Sequence, residues 1–386
     1  MFRGSLYLQL SGFYFWYFAF IGAFAPYFSL YLQNLGYTPL QIAVLMAVNP
    51  VSRIYGPNLW GWLADRYRAR GTFVRACSAA TAVIFAAVLL RPGFWGMFVV
   101  IAALNLFWSG ILPLAETSTM SLLGSRIGTY GRIRLWGSVG FVLVVIGGGY
   151  LLDRLGIYSL EPMVLALLAA SAAVTFALPR DRSVSPHGKH LSIAAALRQP
   201  GVIALLAGFT LMQLAHGPYN TFYSIYLVET GHSKTAVGWL WALGVIAEIV
   251  LFLFLPRIMA RWSVRQILLA SFACAAARFL VIAWWVDSIA ALAGAQLLHA
   301  ITFGAFHAAG IAATHRIFRG PHQARGQGLY TSLGYGVGGT LGTLASGALW
   351  ESVGGAATFS LAALAAGVAW LLVKFRPVAP AERAAV

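Results

Sequence analysis

The sequence predicts an all-helical membrane protein with twelve transmembrane helices arranged as two pseudo-symmetric six-helix bundles. Three observations support this fold class: the composition, the length of the apolar runs and an internal repeat. Of the 386 residues, 60% are hydrophobic and 9% are charged, whereas soluble domains carry about 25% charged residues. The mean hydropathy is +0.78. Many apolar runs exceed the roughly 20 residues that cross a bilayer, so the composition excludes an ordinary soluble protein.

The apolar runs are separated by short loops and by one longer polar segment, residues 180–190. The first run is too long for a cleavable signal peptide and lacks a small-residue cleavage site, so it counts as a membrane helix. The sequence predicts an N-terminal bundle of residues 1–179, a linker of 180–198 and a C-terminal bundle of 199–386. The twelve predicted helices are residues 7–32, 40–64, 72–90, 94–123, 131–152, 160–179, 201–228, 236–256, 265–286, 290–315, 324–349 and 355–375.

The positive charge of the chain has a topological explanation. A net charge of +16 would suggest nucleic acid in a soluble protein, but here the basic residues lie in loops between apolar runs. With a cytoplasmic N-terminus, twenty lysines and arginines lie in inside loops and tails, against Arg91, Arg154 and Lys234 outside. The positive-inside rule therefore predicts that both termini and the linker are cytoplasmic. We expect a bacterial-type inner-membrane protein, a monomer, with the lipid bilayer and no nucleic acid as partner.

The two halves of the chain resemble each other in sequence. A shift of 195 residues lays residues 27–36 on 222–231, with identical residues at four positions. A shift of 194 lays residues 135–141 on 329–335. Two shifts that agree within one residue favour a repeat over a chance match of apolar sequences. Parallel six-helix repeats are typical of secondary transporters, whose solute site lies near the bilayer midplane.

Five charged residues fall inside predicted membrane helices: Arg53, Glu116, Arg134, Glu248 and Arg278. Each costs about 2.5–3.5 kcal/mol at a helix centre, so a function is the default interpretation. For Arg53 and Arg278 the alternative is snorkelling, in which a long side chain carries its charge to the membrane surface. The glutamate side chains are too short to do this. An acid in the fourth helix and an arginine in the fifth are tolerable as a pair. The sequence predicts that this Glu116–Arg134 pair sits at a solute-binding site.

These charges also suggest proton coupling. Burial disfavours the charged form of a carboxylate, and a neighbouring arginine favours it. A site that exchanges arginine contact for solute contact can therefore bind and release a proton in step with transport. We expect Glu248 to be the leading proton-coupling residue, with Arg53 or Arg278 as its partner. The arginine excess favours an anionic solute. The proton gradient is the expected driving force, and no cofactor or metal is expected.

Polar groups near a helix break are further solute-binding candidates. Gly217 and Pro218 interrupt the seventh helix beside His216, Tyr219 and Asn220. Breaks of this kind free backbone carbonyls and mark cavity-lining positions. For His216 the alternative is a structural hydrogen bond between helices. Tyr14 or Tyr17 in the aromatic first helix is a further side chain that can face a cavity.

Two histidines of the tenth helix, His299 and His307, are candidates for proton coupling. They are eight residues apart, about two turns, which predicts a shared face. No acid accompanies them at the spacing of a metal motif. The alternative, a structural hydrogen bond between helices, stays open for both residues.

Glycines in the second half form a stripe. Gly334, Gly338 and Gly342 recur every four residues, and no strand precedes them as a dinucleotide-binding loop would need. The stripe predicts close packing between membrane helices.

Several motifs carry a family resemblance. Residues 61–66, with Asp65 and Arg66, resemble the Gly-x-x-x-Asp-Arg loop of the major facilitator superfamily. There Asp65 can ion-pair or cap a helix end and release when the cytoplasmic face opens; the alternative is an inside loop whose acid neutralises its cations. Residues 130–141, 238–248 and 296–307, with the Ala277-Arg278 pair, resemble the phenylpropionate-permease-like group, related to lactose-permease-type proton symporters.

The resemblance implies roles for particular residues. In the lactose-permease type, a Glu and an Arg eighteen residues apart bind the solute, and Glu116 and Arg134 have that spacing. An aromatic residue follows at Phe141. The resemblance and the charges together predict proton-coupled import of a small organic solute by alternating access, with an aromatic or other carboxylic acid favoured. An efflux antiporter and a symporter of a neutral sugar or nucleoside stay open. A membrane-embedded enzyme or sensor is least favoured, because no nucleophile and base cluster together and the loops are short.

Overall fold

The computed structural model describes residues 4–179 and 194–376, and within these ranges the chain is helical with no strand. Among the described residues, nine stretches are long and apolar enough to cross a membrane, and two of them, Phe94–Leu155 and Arg325–Phe375, each contain two helices. One further helix, Pro39–Arg66, carries two internal prolines and Arg53 and completes the set of twelve. The predicted fold class is confirmed.

The first six long helices lie within residues 4–179. A short turn, Gly124–Thr129, separates the fourth helix from the fifth, and a capping box at Thr38 and Gln41 starts the second. The six helices are α1 (Gly4–Asn34), α2 (Pro39–Arg66), α3 (Arg70–Phe85), α4 (Phe94–Leu123), α5 (Tyr130–Leu155) and α6 (Leu160–Ala177).

The second half is more interrupted. Its helices are α7 (Ala194–Leu197), α8 (Val202–Ala215), α9 (Gly217–Glu229), α10 (Lys234–Arg261), α11 (Val264–Trp284), α12 (Ile289–His299), α13 (Phe306–Ile317), α14 (Gln323–Tyr330) and α15 (Gly339–Phe375). π-Helical turns at Ala300–Ala305 and Thr331–Gly338 join α12 to α13 and α14 to α15. Gly354, with φ of 77°, bends α15 into two membrane spans.

The described residues form two compact units, one of residues 4–179 and 227–242, the other of 194–226 and 243–376. Asp153 at the end of α5 helps to hold segment 227–242 on unit 1. Its carboxylate accepts hydrogen bonds from the backbone N–H groups of Lys234 at 3.0 Å and Thr235 at 2.7 Å. These units differ from the predicted bundles by this segment, and the linker lies largely outside the described residues. The predicted domain boundaries stay a prediction.

Glycines set the helix spacing within each unit. In unit 1, a β-carbon built on Gly22 of α1 would lie 2.7 Å from the carbonyl oxygen of Phe141 on α5. In unit 2, Gly338 and Gly342 lie against the carbonyl oxygens of Thr210 and Leu214 on α8. Small residues let membrane helices approach this closely. The predicted packing role is confirmed for these two glycines, whereas Gly334 has only ordinary van der Waals neighbours.

This packing gives a stability prediction on α5. Gly140 lies against the backbone carbonyl of Phe15, so Gly140→Leu must separate α1 from α5. We expect it to destabilise unit 1 by about 1–3 kcal/mol, the usual cost of overpacking, and to lower the melting temperature in detergent. Gly147→Leu on the same helix is the matched control, because a β-carbon there meets nothing within 4 Å. Equal melting temperatures for the two variants would contradict the packing argument.

In each half of the chain, an arginine donates hydrogen bonds to backbone carbonyls at the end of the last helix. In unit 1, Arg75 of α3 donates to the carbonyl oxygens of Thr175 at 3.1 Å and Leu178 at 2.6 Å. In unit 2, Arg265 of α11 donates to the carbonyl oxygen of Lys374 at 2.7 Å. Helix C-termini carry unsatisfied carbonyls that favour cations. This shared contact adds a structural likeness to the sequence repeat.

Candidate functional site

Unit 1 brings Glu116 and Arg134 together. The turn after α4 reverses the chain, so that Nε of Arg134 lies 4.0 Å from Oε1 of Glu116. The Tyr130 hydroxyl donates a hydrogen bond to the same carboxylate oxygen at 3.2 Å. The two charged side chains are 32% and 39% exposed. A loose, partly exposed ion pair of this kind is accessible to a solute.

Aromatic rings surround Arg134. Its guanidinium carbon lies 3.9 Å from the ring centroid of Phe18 and 5.6 Å from that of Tyr14, and such cation–π contacts attract a cation to the ring face. Within the described residues Arg134 donates no hydrogen bond. A guanidinium carries five N–H donors in a fork that matches a carboxylate. Arg134 is therefore positioned by ring contacts while its donors stay available.

Phe141 lies seven residues after Arg134 on α5, about two helical turns along the helix. It is only 8% exposed, and its backbone packs against Gly22 in the α1–α5 contact. The structure thus gives Phe141 a packing role, and its predicted contact with the solute stays a prediction.

Unit 2 contains a buried polar cluster around Arg278 of α11. Arg278 is 0% exposed and donates at 3.3 Å both to the Gln296 side-chain oxygen and to the Thr302 hydroxyl. Its guanidinium carbon lies 4.0 Å from the Tyr219 ring centroid, and the Tyr219 hydroxyl donates to Gln296 at 3.0 Å. These partners are neutral, and no ion pair of Arg278 occurs in the described chain. A buried charge without an ion-pair partner is costly, so its presence points to a use.

Two histidines belong to this cluster. The His299 ring centroid is 5.7 Å from that of Tyr219, and the His216 ring packs edge-on to Phe279 at 5.1 Å. Nδ1 of His299 and Nε2 of His216 have no hydrogen-bond partner among the residues described here. Both rings can therefore exchange hydrogen bonds with a further polar group.

The helix break beside His216 is milder than the sequence predicts. His216 separates α8 from α9 yet keeps helical dihedrals, φ −80° and ψ −7°, and its carbonyl accepts from the Asn220 N–H at 2.9 Å. The carbonyl of His216 is thus not free, whereas the place of this break in a cavity lining stays a prediction. The break serves packing instead, because a β-carbon on Gly217 would overlap the backbone of Gly342.

Gly244 of α10 borders this cluster, and Glu248 lies one turn farther along the same helix. A β-carbon on Gly244 would lie 3.1 Å from the Gln296 side-chain oxygen and 3.3 Å from the His299 ring. Glu248 itself lies against Gly304 in the π-helical turns, where a β-carbon would be 3.0 Å from its Cγ. The pairing of Glu248 with Arg53 or Arg278 stays a prediction. Asn220, next to Tyr219, is exposed.

His307 has different partners from His299. Its Nδ1 lies 2.9 Å from the Tyr335 hydroxyl and 3.3 Å from the Tyr330 hydroxyl. This geometry suits the structural alternative, a hydrogen bond between helices, while a role in proton coupling stays a prediction.

The predicted loop residues form contacts at the end of α2. Asp65 pairs with Arg70, whose Nη2 is 2.7 Å from Oδ1, while the guanidinium of Arg66 lies 5.5 Å from the Trp62 ring centroid. The acid therefore ion-pairs as expected but through the first residue of α3. Arg53 is exposed on α2.

Sequence reasoning missed Tyr130 and Phe18 in unit 1 and Gln296 and Thr302 in unit 2. The two aromatic residues gave no signal, because such side chains are common in membrane helices. Gln296 and Thr302 gave a usable signal, since polar side chains in an apolar helix need partners.

The model of the MFS_1 like family matches residues 7–361. This chain belongs to that family. It is 30% identical over 381 residues to the probable 3-phenylpropionic acid transporter of Escherichia coli (strain K12), covering 94% of this chain and 96% of that protein. The maltose permease of Geobacillus stearothermophilus is 29% identical, over 88% of this chain and 86% of that protein.

The fold has solved counterparts. A mutant form of the nucleoside transporter NupG superposes with a TM-score of 0.83 at 19% identity, over 96% of this chain and 98% of that one. At this identity the likeness shows the fold alone. Together the findings make the protein an integral membrane transporter of the phenylpropionate-permease-like group, acting on a small molecule and not an enzyme.

Proposed function

We propose that the protein imports a small carboxylic acid, preferably an aromatic one, together with protons. The observation that carries this proposal is Arg134, whose N–H groups donate no hydrogen bond to any described residue and which lies beside the half-exposed ring of Phe18. A guanidinium binds a carboxylate through two parallel hydrogen bonds, and an apolar ring beside it suits the hydrocarbon part of the same solute. The related probable 3-phenylpropionic acid transporter is named for such a solute.

Proton coupling follows from the acids near these sites. When a solute carboxylate replaces Glu116 at Arg134, the arginine no longer compensates the charge of the glutamate. Glu116 then favours its protonated form. Glu248, one turn from the Arg278 cluster, is the leading carboxylate for carrying the proton across. Alternating access in the inner membrane, both termini cytoplasmic and a monomeric state belong to the same proposal.

A neutral sugar or nucleoside is the second candidate solute. The Glu116–Arg134 pair presents an acceptor and a donor together, which suits hydroxyl groups, and the maltose permease is nearly as similar as the phenylpropionate relative. An efflux antiporter would use the same residues in the opposite direction.

Uptake into proteoliposomes distinguishes these candidates. With an acidic outside buffer, we expect labelled 3-phenylpropionate to accumulate at a higher initial rate than in protein-free vesicles, which control for passive entry of the acid. Maltose and uridine are not expected to accumulate, and a protonophore should abolish the accumulation. Accumulation of maltose or uridine but not of the acid would contradict the solute class. Acid uptake that ignores the gradient would contradict proton coupling, and gradient-driven loss of preloaded acid would indicate efflux.

A further inference from the structure

A groove lies on the surface of unit 2, apart from the Arg278 cluster, where α11 begins and α15 ends. It is an open groove with a volume of about 410 Å³. Its charged end is formed by Arg265 and Lys374 and its aromatic wall by Trp262 and Trp370, while Ala270 and Ala273 line it farther along α11. The groove thus combines a cationic end with an apolar floor.

The cations at this groove have hydrogen-bonding capacity to spare. Arg265 uses its Nε and Nη2 groups on the carbonyl oxygens of Val373 and Lys374, and a guanidinium has five N–H donors. The Lys374 ammonium lies 4.3 Å from the Trp370 ring centroid. Both basic side chains are exposed. They can therefore bind an anionic group without breaking the contacts that they already make.

The surrounding charge is of one sign. Residues 257–274 and 366–376 contain no acid. The N-terminus of α11, capped by Ser263, adds the positive end of a helix dipole. The basic residues of these two segments are Arg257, Arg261, Arg265, Lys374 and Arg376.

We propose that this groove binds an anionic phospholipid of the leaflet that faces the cytoplasm. Basic pockets between transmembrane helices on that side bind anionic headgroups, and tryptophan is enriched at membrane interfaces. Arg265 and Lys374 hold the headgroup phosphate, and an acyl chain lies along Ala270 and Ala273. The apolar floor favours a lipid over a soluble phosphate. The leaflet assignment rests on the proposed orientation, whereas the lipid class rests on the groove.

Native mass spectrometry of the purified protein tests this site with phosphatidylglycerol and phosphatidylcholine as probes. Wild-type protein is expected to retain phosphatidylglycerol in preference to phosphatidylcholine. Lys374→Gln should weaken that retention about fivefold, the effect of one cation at a membrane surface. Ala273→Leu keeps every charge but fills the floor, and it should weaken retention as well. Lys374 is at an exposed helix end and Ala273 is exposed, so both variants should fold.

Arg75→Gln is the matched control. It removes the arginine that makes the equivalent helix-end contact in unit 1. The retention of phosphatidylglycerol should stay unchanged. Equal retention of both lipids by the wild type would overturn the proposal, as would retention that survives Lys374→Gln and Ala273→Leu. Competition by glycerol phosphate as effective as that by the lipid would assign the groove to a soluble anion instead.

Discussion

Replacing Arg134 with glutamine is expected to lower the initial rate of solute uptake about a hundredfold, since losing one partner of a hydrogen-bonded charge pair costs about 2–5 kcal/mol. The reason is geometric as well as electrostatic. The cation–π contact with Phe18 holds the guanidinium while its fork receives the solute carboxylate. Arg134→Lys should fail nearly as badly, because an ammonium is a point charge without the bidentate fork. Uptake of labelled 3-phenylpropionate into proteoliposomes measures both variants.

Arg132→Gln is the control for this experiment. Arg132 is exposed and lies two residues before Arg134 on α5, so its loss changes the local charge equally without touching the pair. We expect near wild-type uptake from this variant. Comparable losses in both variants would assign the effect to membrane insertion. Full uptake by Arg134→Gln would remove Arg134 from the solute site.

Glu248→Gln is expected to abolish accumulation driven by a pH gradient while preserving exchange of labelled for unlabelled solute. Glutamine has nearly the shape of glutamate but carries no titratable proton, so a step that needs net proton movement stops. Exchange needs no net proton movement and should continue. The close contact of Glu248 with Gly304 makes an isosteric substitution preferable to a larger one. Both assays run on the same proteoliposome preparation.

Glu351→Gln provides the comparison, since Glu351 is an exposed acid of α15 in the same unit. It should behave as wild type in both assays. Gradient-driven accumulation that survives Glu248→Gln would refute the coupling role. Loss of exchange along with accumulation would move Glu248 from coupling to solute binding.

Long apolar runs made the twelve helices predictable, because membrane spans need about 20 apolar residues. The Glu116–Arg134 pair was predictable for a related reason: charges in membrane helices are costly enough to need a partner. Tyr130 was not, since its hydrogen bond to Glu116 depends on how the turn Gly124–Thr129 reverses the chain.

The break beside His216 was predictable, but its packing role was not. Gly217 and Pro218 indicated an interrupted helix, and α8 ends and α9 begins there. Pro218 is tolerated because it stands in the first turn of α9. The glycine is needed for close approach to Gly342. That contact joins residues far apart in sequence, and only the packed structure shows it.

The central claim is that a carboxylic acid and a proton enter together through the Arg134 site. The most direct measurement is the internal pH of proteoliposomes, followed with a trapped dye, when 3-phenylpropionate is added outside. Coupled entry predicts acidification of the lumen that saturates with solute concentration and that falls to the passive rate of protein-free vesicles with Arg134→Gln. Solute entry without acidification beyond that passive rate, or equal acidification by both proteins, would contradict it.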